Sequence, residues 1–285
     1  MTLLSTEEIV RAVRQALEED IGLGDATTLA TISQGAASSA VMVAREPLVV
    51  AGLSFAEAAF RALSATLKIE WLAQDGQHVA AEEWLLRATG ETRAILTAER
   101  VALNFVQRLS GVATLTARFV EAVKGTHAQI MDTRKTTPGW RRFEKYAVSC
   151  GGGRSHRFGL FDMILIKDNH LFALRDEPPH PIGAAVRRAR DKYPQLRVEV
   201  EAETLLHVQQ ALEAGADAIL LDNMDLEGLR TAVHWVNKRA QTEASGGVKL
   251  ENVRAIAETG VDFISIGALT HSARAVDIAL DFIEG

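Results

Sequence analysis

At 285 residues, 47% of them apolar, the chain is long enough to bury one large core or two smaller ones. Its net charge of −6 argues against a nucleic-acid or acidic-membrane surface, and no apolar run approaches the roughly 18 residues that span a bilayer. The single cysteine, Cys150, excludes an internal disulfide, and no Cys/His group has zinc spacing.

The opening stretch MTLLSTEEIVRAVRQALEED is amphipathic and acidic, unlike a signal or transit peptide, so a cytoplasmic protein is expected. Within it Ser5 and Glu8 form a capping box, followed by Ile9, Val13 and Leu17 at one-turn spacing, which predicts a helix ending at IGLGD, residues 21–25. Strand-like SAVMVARE and PLVVAGL follow, then a helix expected to be capped by Ser54 with Glu57 as its box partner. Strands return over residues 67–86, with Asp75-Gly76 as a turn, and complete a small α+β domain. Thr97 is expected to cap a long helix through AERVALNFVQRL, interrupted at Ser110-Gly111 and resumed to Val123. These readings place the small domain over residues 1–110 and a second domain over 111–271.

From Ala128 the pattern becomes strand, loop, helix. AQIMD, DMILIK, LRVEVE, DAILLD, AQTEA and DFISIG alternate with helical stretches such as PIGAAVRRARDKY. Such alternation means parallel strands with crossover helices, either an open doubly wound sheet or a closed or nearly closed barrel. The absence of a G-x-G-x-x-G after a strand weakens the dinucleotide-binding sheet.

In a β/α barrel the site lies where the strands end. The exits here are Asp132 with Thr133, Arg134 and Lys135; Lys167 with Asn169 and His170; Glu201; Asp222 with Asn223; Glu243 with Ser245, Gly246 and Gly247; and Gly267 with Ala268 and Leu269. The two glycine-bearing exits present backbone N–H groups ahead of a helix, as phosphate sites do. Charge concentrates in the same region. Residues 132–170 hold eight cations (Arg134, Lys135, Arg141, Arg142, Lys145, Arg154, Arg157, Lys167) against four acids (Asp132, Glu144, Asp162, Asp168), leaving −10 elsewhere. Thr137-Pro138 is expected to cap a helix GWRRFEKYAVSC, and GGGRSHR, residues 151–157, to carry His156 and Arg157 on a flexible loop. Arginines suit bidentate carboxylate contacts, lysines act as point charges, and the carboxylates Glu201 and Asp222 suit a metal ion or ribose hydroxyls. The combination fits a phosphorylated sugar plus an acid. The rivals are a Schiff-base aldolase using Lys135 or Lys167 and a non-catalytic phosphosugar-binding barrel.

DTRKTTPG, KYAVSCGGGRSHRFGLFDMILIKDNH, VEVEAET, ILLDNM, EASGG and GALTHS closely resemble the signatures of the quinolinate phosphoribosyltransferases, and the likeness extends to EEDIGLGDATT and LTAERVALNFVQRLSGVAT. The resemblance implies a small α/β sandwich domain and an incomplete α/β barrel, with a last helix over 272–285 returning to the small domain. It also implies a reaction of NAD biosynthesis in which quinolinate and phosphoribosyl pyrophosphate, with Mg²⁺, give nicotinate mononucleotide, pyrophosphate and CO₂. By the same resemblance Thr133, Arg134, Lys135, His156, Arg157 and Lys167 line the acceptor pocket, and Glu201 and Asp222 face ribose and Mg²⁺. Lys135, Lys167, Glu201 and Asp222 are then the catalytic candidates. Ser245, Gly246, Gly247, Gly267, Ala268, Leu269 and His271 match phosphate-binding turns. Arg100 matches an arginine supplied by a neighbouring subunit, which implies a homodimer or a hexamer of dimers.

Overall fold

The computed structural model describes residues 4–284; Met1–Leu3, at the head of the acidic opening stretch, and Gly285, at the end of the expected last helix, lie outside them. Two units are present: Met1–Ala117 with Thr137–Gly152 and Leu269–Gly285, and Arg118–Thr136 with Gly153–Ala268.

The chain runs through α1 (Thr6–Ile21), α2 (Ala26–Thr31), β1 (Ala37–Ala44), β2 (Leu48–Val49), α3 (Leu53–Leu63), β3 (Lys68–Trp71), β4 (His78–Val79), β5 (Trp84–Glu91) and α4 (Thr92–Ala122). Then come β6 (Gln129–Met131), α5 (Arg141–Cys150), β7 (Ile164–Ile166), α6 (Asp168–Ala173), α7 (Pro181–Lys192) and β8 (Val198–Ala202). The last elements are α8 (Leu205–Glu213), β9 (Ala218–Asp222), α9 (Leu226–Val236), β10 (Gln241–Ser245), α10 (Val253–Ala257), β11 (Phe263–Ser265), α11 (Ala268–His271) and β12 (Ile278–Ile283).

In the first unit an antiparallel sheet of order β12-β1-β5-β3 carries a core that includes Phe55, Phe60, Leu85, Leu86, Ile95 and Leu109. The α1 capping box is present: Glu8 N donates to Ser5 Oγ (3.2 Å) and Ser5 N to Glu8 Oε2 (3.0 Å), and Ile9, Val13 and Leu17 are buried.

Four expectations are corrected. The first concerns α3, which starts at Leu53 behind Gly52 (φ +98°) and has no side-chain cap of its own. Asp75 accepts from the N–H groups of Gly52 (2.9 Å) and Leu53 (3.2 Å), while Glu57 is taken by Arg61 (2.7 Å) and Trp71 Nε1 (2.8 Å). Ser54 therefore lies inside the helix, because a carboxylate 22 residues away already satisfies its first N–H groups.

The second is the break in the long helix. α4 is continuous from Thr92 to Ala122. Thr97 sits within it and donates to Asp25 Oδ2 (2.9 Å), the residue that caps α2. Ser110 and Gly111 are small for packing reasons: Ser110 Oγ accepts from Ala51 N (2.9 Å), and a Cβ on Gly111 would fall 2.0 Å from the Arg274 carbonyl oxygen.

The third is the start of α5, which begins at Arg141 without a side-chain cap. Gly139 (φ +80°) turns the chain ahead of it, and Thr137 gives its N–H (3.0 Å) and hydroxyl (2.8 Å) to the fully buried Glu144. Arg108 reaches the same carboxylate at 2.7 Å.

The fourth is the expected helix over 272–285, where residues 278–283 form a strand antiparallel to β1, from Ser39↔Ile283 to Ala44↔Ile278. The exposed edge of β1 needs partners for its N–H and C=O groups, and a six-residue segment satisfies more of them by pairing than by a single helical turn. Arg45 bridges to Asp281 (2.6 Å) and Gln107 donates to the Ile278 carbonyl (2.7 Å), holding the strand in register.

The second unit is a six-stranded parallel sheet of order β6-β11-β10-β9-β8-β7. Consecutive strands β7 to β11 are neighbours, and β6 sits beside the last of them, which is the strand order of a barrel opened between β6 and β7. Against that free side of β6 lies a single parallel bridge, Met131 to Arg154. An open doubly wound sheet would instead reverse its order at a switch point. Among the described residues no helix is long and apolar enough to cross a membrane.

Candidate active site

Side chains alternate along a strand, so VEVEA sends Val198, Val200 and Ala202 to one face and Glu199 and Glu201 to the other. In β10 the register pairs Glu243 with Leu220 and Ser245 with Asp222. The inner face of this sheet thus carries carboxylates rather than the usual branched aliphatics, a burial that is unfavourable unless they have partners.

Above them a cavity of about 480 Å³ is lined by Thr133, Arg134, Lys135, His156, Arg157, Leu165, Lys167, Glu201, Leu220, Asp222, Asn223, Glu243, Ser245, Gly246, Gly247 and Ser265. Four of the eight clustered cations reach it: Arg134, Lys135, Arg157 and Lys167. Arg141, Arg142 and Lys145 lie on α5 in the other unit, where Arg142 pairs with Glu8. Arg154 lines a second, smaller cavity at the opposite end of the strands, with Arg197, Gln241 and Phe263. The charge excess read along the sequence is therefore split, and only half of it faces one pocket.

Short bonds shape the loop after β6. Thr133 Oγ1 accepts from Lys135 N (3.0 Å) and the Arg134 carbonyl from Thr136 N (3.0 Å), a compact turn that sets Arg134 and Lys135 in the wall. Arg157 donates to the Met163 carbonyl (3.2 Å). Burial pulls its pKa down, and the nearby Arg134 charge adds to this, while Glu199 and Asp162 oppose it. Two guanidinium groups held near each other are poised for anionic groups. Across the cavity Lys167 Nζ lies 2.5 Å from Glu201 Oε2.

Gly246 (φ +91°) is required by a close approach. A Cβ there would fall 2.1 Å from Asn223 Oδ1, and Asn223 N in turn donates to the Ser245 carbonyl (2.9 Å). Asn223 Nδ2 bonds Asp222 Oδ2 (2.7 Å), tying the exits of β9 and β10 together. Gly247 (φ +62°) has no atom within 4 Å of where a Cβ would stand, so the turn is open on that side.

His156 is clamped on three sides. Its N–H donates to Asp132 Oδ1 (2.9 Å), Nδ1 accepts from Arg157 N (2.7 Å), and Nε2 lies 3.2 Å from Glu199 and 3.4 Å from Glu243. Acceptance at Nδ1 places the ring proton on Nε2, between the two carboxylates. Burial disfavours charge on the ring, but the two glutamates outweigh it and move its pKa upward; a second proton on Nδ1 would break the Arg157 bond, which limits the rise.

Glu201, Glu203 and Asp222 bring oxygens within 4.8 Å of one another. Such an all-oxygen set suits Mg²⁺, and although Lys167 and Asn223 each hold one oxygen of Glu201 and Asp222, a second remains on each.

Several expected residues are not brought to this cavity. Gly267 and Ala268 do not line it; Ser265 does. Leu269, fully buried, and His271, exposed beside Ser272, belong to the other unit, as does the exposed Arg100 on α4. His170 is spent locally, its Nδ1 accepting from Lys167 N (2.9 Å). Glu199 was not foreseen, and Glu243 was seen only as a strand exit. The signal for both was present as an acid on the inner phase of an otherwise apolar strand.

Residues 112–281 match the C-terminal domain of the quinolinate phosphoribosyl transferase family and residues 25–110 match its N-terminal domain. The chain is 42% identical over 291 residues to the chloroplastic nicotinate-nucleotide pyrophosphorylase (carboxylating) of Oryza sativa, covering 96% of this chain and 78% of that one. It is 42% identical to the enzyme of the same name from Mycobacterium leprae, covering 94% and 95%. The solved nicotinate-nucleotide pyrophosphorylase of Francisella tularensis superposes with a TM-score of 0.93 at 39% identity, covering 99% and 98%. With both domain families matched in order, and the cavity built from strand exits of the second, the chain belongs to the quinolinate phosphoribosyl transferase family.

Proposed function

We propose that this cavity joins quinolinate to phosphoribosyl pyrophosphate, releasing pyrophosphate and CO₂ and leaving nicotinate mononucleotide. The carrying observation is that Arg134, Lys135, Arg157 and Lys167, three carboxylates (Glu201, Asp222 and Glu243) and a Ser-Gly-Gly turn share one pocket at the strand exits. Arg134 and Arg157, with Lys135, hold the acceptor's carboxylates so that its ring nitrogen faces the anomeric carbon; this positioning is the main catalytic contribution. As pyrophosphate departs, positive charge develops on the ribose, and Glu201 and Asp222 stabilise it. Lys167, paired with Glu201, orients that carboxylate and balances its charge. Ser245, Gly246 and Gly247 present a turn for phosphate. Once alkylated, the cationic ring nitrogen stabilises the electron pair left on the adjacent carbon when the carboxylate departs as CO₂, and a proton then bonds to that carbon through this pair.

Glu201 and Asp222 would hold Mg²⁺, which when bound neutralises charge on the leaving pyrophosphate. Arg100 completes the pocket from a second copy in a homodimer or a hexamer of dimers, and the protein works in the cytoplasm. An imine-forming lysine must offer a free amine, whereas Lys167 is engaged in an ion pair, which disfavours Lys167 as the nucleophile of an aldolase. Incubation with phosphoribosyl pyrophosphate and quinolinate, nicotinate or nicotinamide tests the reading. Pyrophosphate and CO₂ released with quinolinate alone support it, and no release with quinolinate overturns it.

A further inference from the structure

Glu199 and Glu243 are each 2% exposed, on the inner faces of β8 and β10; Glu243 is part of the pocket lining and Glu199 is not. Burial pushes the Glu199 carboxyl up, the Glu243 charge adds to this, and His156 opposes both. Two acids placed together in an interior are a standing cost to stability, and well-packed aliphatic side chains in their place would do as well or better. Both glutamates line the smaller cavity together with His156 and Arg157, and the contact they share is the one with His156.

That contact leads to a substrate-facing cation. The His156 ring takes the main-chain N–H of Arg157, and Asp132, fully buried, takes the N–H of His156 itself, so two successive amides of the loop after the Gly151-Gly152-Gly153 run are fixed by side chains. A glycine run gives the segment no rigidity of its own. These bonds, with the donation from Arg157 to the Met163 carbonyl, set where the guanidinium stands, beyond the Met131–Arg154 bridge and the Asp162 bonds that hold the segment on either side. Glu199 also offsets part of the repulsion between Arg157 and Arg134. A ligand with two adjacent carboxylates needs both guanidinium groups at a set separation, whereas a monocarboxylate needs one.

We infer that Glu199 and Glu243 are positioning residues: acting through His156 they fix Arg157 opposite Arg134, and they thereby set the preference of the pocket for an aromatic acid with two neighbouring carboxylates. The inference rests on the function proposed above, with quinolinate as acceptor. A role in stability alone, or a divalent cation held by His156, Glu199 and Glu243, whose donor atoms lie within 4.8 Å of one another, are the alternatives.

Glu199→Gln and Glu243→Gln keep the shape and one acceptor oxygen while removing the charge. They are compared with Asp217→Asn, which removes a half-buried ion pair with Arg190 (2.8 Å) away from the pocket and serves as the stability control. On the full chain, calorimetry measures binding of quinolinate, benzene-1,2-dicarboxylate and nicotinate, and steady-state kinetics give KM for each substrate. The expected result for either glutamine variant is about a tenfold loss of affinity for both dicarboxylates, with nicotinate binding and the KM for phosphoribosyl pyrophosphate within twofold. Asp217→Asn is expected to lower the melting temperature without that selectivity change, and Glu199→Asp to recover part of the lost affinity. Wild-type protein that fails to bind quinolinate would sink the functional reading itself. Wild type that binds while both variants bind equally well would sink the positioning role alone. Equal losses for one and two carboxylates, failure of both glutamine variants to fold, or a stoichiometric divalent metal lost on substitution would also overturn it.

Discussion

Lys167 and Glu201 meet at 2.5 Å across the mouth of the strand sheet, with the Glu201 side chain about 10% exposed and that of Lys167 45% exposed. The carboxylate is the more buried partner, so losing the lysine leaves it uncompensated, while losing the glutamate returns a lysine to water. Lys167→Met is expected to lower kcat/KM by at least about 100-fold, and Glu201→Gln by a similar factor. The double variant should fall well short of the product of the two, because the residues act as a unit. A double-mutant cycle on kcat/KM checks this; strict additivity would mean that the pair is incidental.

Gly246 and Gly247 are adjacent and both have positive φ, but only the first is crowded. Gly246→Ala must move Asn223, which carries the link to Asp222, whereas Gly247→Ala meets only backbone strain. The KM for phosphoribosyl pyrophosphate is expected to rise at least about tenfold in Gly246→Ala and to rise less in Gly247→Ala. The reverse order would remove the turn from the phosphate role.

Asp25 caps α2 and accepts from the Thr97 hydroxyl. Bonds from the Thr28 side chain, the Thr28 N–H and Thr97 hold its carboxyl below the ordinary aspartate value, against the effect of burial. A depressed folded pKa gives stability that is present above the unfolded value of 3.8 and lost as pH falls through the folded one. Asp25→Asn should therefore melt below wild type at pH 7, and the gap should close as pH drops below 3.8. A gap independent of pH would show that shape, not charge, is the contribution.

Glu144 is fully buried and collects Arg108 and both donors of Thr137. Glu144→Ala strands both donors of Thr137 and leaves Arg108 with the Thr270 and Ala273 carbonyls, so urea unfolding should report a loss of about 3–5 kcal/mol. Arg108→Ala should cost the protein a comparable amount, and the double variant should lose less than the sum of the two, the excess over Glu144→Ala reflecting the bonds of Arg108 to the Thr270 and Ala273 carbonyls. A double variant twice as unstable as either would argue against a shared network.

Local chemistry was readable in the sequence, and remote chemistry was not. The Ser5-Glu8 box spans one turn, and its residues have no competing partner, so its reading survives folding. Ser54, Thr97 and Thr137 have the same credentials, yet Asp75, Asp25 and Glu144 claim the bonds or positions that each was assigned. The parallel strands were legible from short apolar runs ending in polar residues. Their closing order was not, since it depends on β6 meeting β11 more than 130 residues later. Within the pocket, Arg134, Lys135, Lys167, Glu201 and Asp222 stand at strand exits and could be found by position alone. Glu199 could be found only by asking which face of β8 points inward, and its partner His156 arrives on a loop whose path no periodicity records.

The pairing of β12 with β1 imposes an order on synthesis. The sheet of the first unit lacks an edge strand until Ile283 has been made, by which time every residue of the second unit already exists. The parallel sheet, with its sequential neighbours, can thus close while β1 still waits with one side unpaired. The part of the molecule that begins first finishes last, and in the interval before Ile278–Ile283 is made the β1 edge stays open. Chaperones that cover exposed strand edges are expected to act on that interval rather than earlier.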